Sequence, residues 1–213
     1  MISRKVTKPL LRGYFHEWMF FISVGACIPL FANSSNSIEL ASTIIYSIGV
    51  CMMFGFSALY HRVDWRSRVL IIMRRLDHSA IFVMIAGSFT PICLLVLPGN
   101  TGIQLLFIIW IIAGIGILQT VLFTETPRLI RAGIYLVAGY MAIPYLSVMF
   151  SVMSMTNFIL TAASGTIYTV GAIGYGFQFP DISPKYFGYH EFFHILVSIA
   201  AVLHFIVIYS IVG

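Results

Sequence analysis

His190 and His194 stand four residues apart in the stretch His190-Glu191-Phe192-Phe193-His194. On a helix that interval is about one turn, so both imidazoles share a face and can grip one metal ion. A third histidine, His61, closes an apolar run in the first third of the chain. Three neutral imidazoles with one position left open make the layout of a catalytic zinc site, whereas structural sites are more often closed by four protein ligands, commonly cysteines. His61, His190 and His194 are therefore the expected Zn2+ ligands.

Asp77 opens another apolar run, and two roles compatible with each other suit it. As a helix N-cap it would satisfy free amides and the macrodipole. As a catalytic carboxylate it would orient and deprotonate a water whose pKa zinc lowers to about 7. Ser57 precedes His61 by four residues and so lies on the same face, one turn away. Its hydroxyl either bonds back to its own helix or donates to substrate, water or Asp77. Asp77 and Ser57 are the expected catalytic residues. The stretch 190–194 also matches H-E-x-x-H, in which the glutamate of a metalloprotease is the general base. Glu191, however, points about 100° away from His190 on a helix, and that scheme leaves His61 unused.

Positioning these groups falls to strongly apolar elements. Of the 213 residues, 60% are hydrophobic and only 9% charged, against about a quarter charged in soluble domains. A water-soluble globule is excluded. So is a nucleic-acid binder: the net charge of +5 is an excess of 12 Lys+Arg over 7 Asp+Glu, for which a membrane protein has its own use. With roughly 20 apolar residues per span, the punctuation of the sequence places helices at about 15–32, 38–60, 77–97, 102–123, 129–150, 157–177 and 189–211. The alternating ten-residue segments of a β-barrel do not occur. The expected fold is an all-α, seven-transmembrane bundle forming a single membrane domain over 1–213.

All 12 basic residues fall on one side of this arrangement: Arg4, Lys5, Lys8 and Arg12 before the first span, Arg62, Arg66, Arg68, Arg74 and Arg75 after the second, Arg128 and Arg131 after the fourth, and Lys185 after the sixth. The positive-inside rule then puts the N-terminus in the cytoplasm and the C-terminus outside a cell membrane. The first apolar run is long for a signal peptide and lacks an A-x-A site, so a retained span is expected. Nearly all ionisable groups within spans collect at the cytoplasmic ends: His16 and Glu17, His61, Asp77 and His78, His190, Glu191 and His194. Such groups are costly in lipid and mark function by default. His204, roughly 15 Å beyond His194 along the helix, cannot reach the same metal. His78 should pack or bond elsewhere, and His16 and Glu17 either support the site or cap the first span.

The remaining signals are structural. Cys27, Cys51 and Cys93 lie singly in apolar runs and behave as small core residues. Gly114 with Gly116, and Gly165, Gly171 and Gly174, offer small faces for helix approach. Pro29, Pro91 and Pro144 fall inside spans and should kink them. The Arg-rich stretch 62–75, with Trp65, either lies in the headgroup plane or only sets topology.

In combination, Ser57-x3-His61, the run Leu76-Asp77-His78-Ser79-Ala80-Ile81-Phe82, and Ile85-Ala86-Gly87-Ser88-Phe89-Thr90-Pro91 resemble the hemolysin III family. So do Tyr168-Thr169-Val170-Gly171-Ala172, Phe187-Gly188-Tyr189-His190-Glu191-x2-His194 and Leu203-His204-Phe205. That family is grouped with the progestin and adiponectin receptors and, more distantly, the alkaline ceramidases. The resemblance implies seven helices and zinc near the cytoplasmic leaflet, held by His61, His190 and His194, with Ser57 and Asp77 at the matching serine and aspartate positions. A hormone-receptor role is not expected, since little sequence precedes the first span.

The leading expectation is a zinc-dependent hydrolase of a membrane lipid; the likeness to ceramidases supplies an amide bond as the target. Two alternatives remain: a non-enzymatic sensor of membrane lipid state with a structural zinc, and a pore-forming cytolysin, which would require assembly into a homo-oligomer. Membrane lipids are the expected partners in the first two.

Overall fold

The structure is a computed structural model that describes residues 8–183 and 185–213; Arg4 and Lys5 of the basic N-terminal group lie outside them. The helices are α1 (Tyr14–Asn33), α2 (Ser37–Arg62), α3 (Ser67–Pro91), α4 (Gly99–Leu122), α5 (Arg128–Tyr140), α6 (Leu146–Val152), α7 (Met155–Phe177) and α8 (Tyr189–Ile211). Among the described residues the only β pairing is an isolated bridge between Ser183 and Phe187. Among the described residues, seven helical stretches are long and apolar enough to cross a membrane, with α5 and α6 sharing the fifth. The expected seven-helix, all-α architecture is what the chain adopts.

Two expected spans differ in detail. The third does not begin near residue 77 but at Ser67, ten residues earlier, because the Arg-rich segment is itself helical and prolongs the apolar run. Its arginines reach across to the α4–α5 connection: Arg74 bonds Glu125 and the Thr124 carbonyl, at 3.0 and 2.7 Å, and Arg75 bonds the Thr124 hydroxyl. The fifth span is not one continuous helix over 129–150. It breaks after Tyr140 into a 3₁₀ turn, Ile143–Tyr145, where Pro144 has no amide hydrogen to continue the ladder. Pro91 ends α3 and is followed by a π-helical turn, Ile92–Val96, whereas Pro29 lies inside an unbroken α1.

The α2 helix packs between α1 and α3, α7 packs against α8 and α5, and α1 meets α8. Buried Tyr46, Phe54, Phe82, Leu105, Ile109 and Met149 form the centre of the core. Phe21, Ile28, Phe107, Ile115, Leu118 and Phe150 instead point outward. In water such a surface would be a liability; in a bilayer it is the lipid face. Of the small residues expected at helix contacts, Gly116 is the tightest: a Cβ there would stand 2.3 Å from the Phe82 ring of α3. Gly171 and Gly174 also face neighbours, while Gly114 and Gly165 adjoin open space.

Candidate metal centre

Helix direction brings the end of α2 and the beginning of α8 to the basic end of the bundle. There His61, in the last turn of α2, meets His190 and His194, in the first two turns of α8. The Nε2 atoms of His61 and His190 are 3.1 Å apart. One nitrogen from each of the three rings lies within 4.8 Å of the other two. The Asp77 carboxylate approaches to 3.9 Å from His61 Nε2 and 4.0 Å from His78 Nε2.

These residues fit a metal ion. The donor set, three imidazoles with a carboxylate beside them, has the chemistry zinc prefers. His194 Nδ1 is buried without a hydrogen-bond partner among the described residues, and an orphaned polar atom in the interior calls for an explanation. A cation held by the three rings would sit beside that atom. His194 is 2% exposed and His61 9%, so the cluster is largely closed to solvent.

The long α3 changes the meaning of Asp77. It is the eleventh residue of that helix, three turns in, and not at an N-terminus. The capping and macrodipole explanation fades within the first turn, so it no longer accounts for this buried carboxylate. Ser57 is buried as well; its hydroxyl lies 2.8 Å from His16 Nδ1 and also within hydrogen-bonding reach of the Asp77 carboxylate. His16 in turn stacks on the His194 ring. Of the two roles open to His16, support of the site is therefore the one its contacts match; Glu17 turns away and pairs with Arg62 at 2.8 Å.

Glu191 is not available as a base. It is 1% exposed, one carboxylate oxygen pairs with Arg12, and the other accepts the Gly188 amide at 2.8 Å. That second bond caps α8 and fixes the start of the helix carrying His190 and His194. The metalloprotease-like reading of the stretch fails on this point. His78 lies 3.2 Å from Arg131 Nη1. A guanidinium only donates, so His78 Nε2 accepts and its proton sits on Nδ1. His78 thus bonds to another helix, as its position predicts, and Arg131 is buried against it.

Sequence reasoning did not anticipate Arg12, Gly13 or the stacking of His16. Gly13 has φ +84°, and a Cβ there would lie 2.8 Å from the Cβ of His61, so only glycine lets the chain enter α1 beside this histidine. A glycine directly before the first span, following an arginine, was the available signal.

From the cluster a cavity of about 170 Å³ runs into the bundle. His16, Ser57 and Asp77 line its polar end; Ile81, Ile85 and Phe89 are among its apolar walls. An apolar pocket with a few convergent polar groups is the usual form of a small-molecule site.

Comparison with known proteins matches this frame. A family profile described as haemolysin-III related matches residues 4–205. The chain is 32% identical over 144 residues to the hemolysin-3 homolog of Bacillus subtilis (strain 168), covering 68% of this chain and 67% of that one. It is 29% identical over 177 residues to hemolysin-3 of Bacillus cereus, covering 81% and 80%. It is also 26% identical over 204 residues to the human monocyte to macrophage differentiation factor, covering 92% and 81%.

Proposed function

The chain belongs to the haemolysin-III related family of membrane proteins, and from that premise we propose that it is a zinc-dependent hydrolase acting on an amide bond of a membrane lipid. The observation that carries this reading is the convergence of His61, His190 and His194 with Asp77 at the head of an apolar cavity. The clustering of basic residues at that end favours the cytoplasmic leaflet as its depth, with the C-terminus outside.

His61, His190 and His194 would hold the ion. Zinc, when bound, supplies a Lewis acid that polarises a carbonyl and acidifies water. Asp77 takes the proton of the attacking water and returns it to the departing nitrogen. With Nδ1 of His16 protonated, Ser57 accepts from that ring and keeps its own proton for the developing oxyanion. The apolar walls admit the acyl chain and exclude bulk water from the bond to be cut.

The test is metal content by plasma mass spectrometry on detergent-purified protein, with turnover of an N-acyl lipid measured beside it. One zinc per chain is expected, lost together with activity in His190→Ala/His194→Ala. Turnover by a metal-free variant would sink the proposal. A second reading, a lipid-state sensor, is favoured by one observation: all three histidines come from α2 and α8, so a zinc would pin those helices together. Zinc without hydrolysis of any acyl lipid would select it. Conductance from the purified protein in planar bilayers would instead select the pore-forming reading, an activity that the relatives' names suggest only for those proteins.

A further inference from the structure

His204 is a buried imidazole that the hydrolytic chemistry does not use. It lies ten residues beyond His194 on α8, about 15 Å along the axis, half the roughly 30 Å hydrocarbon core and so the depth filled by one acyl chain. It lines the same cavity as Ser57 and Asp77 and is 5% exposed. An ionisable ring at such depth is costly and points to a function.

Its hydrogen bonds define what it offers. Nε2 lies 3.2 Å from the Ser88 carbonyl. A carbonyl can only accept, so Nε2 carries the proton, and the neutral ring presents Nδ1 as an acceptor. The neighbour of Nδ1 is the Ser164 hydroxyl, 3.4 Å away. That hydroxyl is also 2.8 Å from the Thr161 carbonyl of its own helix. The two acceptors share one proton unevenly, and the shorter bond to Thr161 takes the larger part of it. Nδ1 of His204 is therefore held only by one long, shared contact, in a cavity whose neighbouring walls include Phe89, with ring centroids 6.1 Å apart.

We propose that His204 and Ser164 form a second subsite, at the far end of the cavity, that selects a lipid chain carrying a hydroxyl near its terminus. The hydroxyl donates to His204 Nδ1 while the methylenes before it lie along the apolar walls. This deepens the reading of the cavity as a lipid site and rests on it.

The test is competition against radiolabelled hexadecanoic acid on the full-length, zinc-loaded protein in detergent, using hexadecanoic acid and its terminally hydroxylated counterpart. One hydrogen bond should make the hydroxylated acid bind about three- to ten-fold tighter. His204→Phe keeps a ring of similar size and removes the acceptor; it should erase the preference by weakening only the hydroxylated acid. Ser164→Val, which places a methyl against Nδ1, should do the same and serves if His204→Phe does not fold. Equal affinities in the wild type, or a preference that survives in the folded variants, would overturn the subsite and leave the lipid reading standing. Binding of neither acid would overturn both.

Discussion

The imidazole of His16 lies flat on that of His194, with ring centroids 3.7 Å apart and planes within 2° of parallel. Its Nδ1 meanwhile bonds Ser57. One residue of α1 thus holds a metal-site ring of α8 and a hydroxyl of α2 in place together. Groups that orient metal ligands typically change affinity by 10–100-fold when removed. His16→Ala is expected to lose zinc about 10–100-fold more readily in chelator competition, with helicity by circular dichroism unchanged. His16→Phe, which preserves the stack but not the bond to Ser57, should recover much of the metal affinity and little of the turnover.

On the proposed chemistry, Asp77 should separate metal binding from turnover. It stands 3.9 Å from His61 Nε2, beside the cluster and not within it. Asp77→Asn should retain one zinc per chain while turnover of an N-acyl lipid falls by about 10²–10⁴-fold, the range for loss of a general base. Metal analysis and single-turnover kinetics on the same preparation decide the matter; equal turnover in the variant would remove Asp77 from the reaction.

The buried pair of Arg12 and Glu191 should reveal itself in stability. Glu191 is wholly buried and Arg12 only 19% exposed at the side chain. Removing one member leaves the other uncompensated, a loss of about 3–5 kcal/mol. Arg12→Ala is expected to lower stability by that amount in reversible unfolding in mixed micelles. Glu191→Gln can still accept the Gly188 amide and should cost less, with zinc retained and turnover largely intact. A variant that kept zinc and stability but lost turnover would restore Glu191 as a catalytic base.

Gly13 makes a backbone requirement testable. Alanine there faces the left-handed penalty of about 1–2 kcal/mol and also pushes on His61. Gly13→Ala should therefore lower both Tm and zinc affinity. Gly114→Ala, where the added methyl meets open space, is the matched control and should lower neither.

Hydropathy located the spans because a helix crossing lipid must be apolar over its length, and α8 was found to within a residue or two for that reason. The helical spacing of His190 and His194, and the arrival of His61 at the same end, could also be read, since periodicity and topology fix both. The start of α3 could not: Arg66, Arg68, Arg74 and Arg75 look like a loop by hydropathy, yet the helix runs through this stretch from Ser67, and the guanidinium groups of Arg74 and Arg75 find partners in the α4–α5 turn. The stack of His16 on His194 and the pairing of Arg12 with Glu191 were equally hidden. Both depend on how α1 sits against α8, which no local pattern encodes.

That last contact has a temporal side. Arg12 and Glu191 are 179 residues apart, and the backbone of Leu10 and Leu11 also bonds to Lys185 and Tyr186. A ribosome adding about 5–20 residues per second needs on the order of 10–40 s to supply the second partner after the first. For that interval α1 and α2 wait in the membrane with His16, Ser57 and His61 in hand and nothing to close on. An ion that requires all three rings would therefore seal only a chain whose α8 has been delivered.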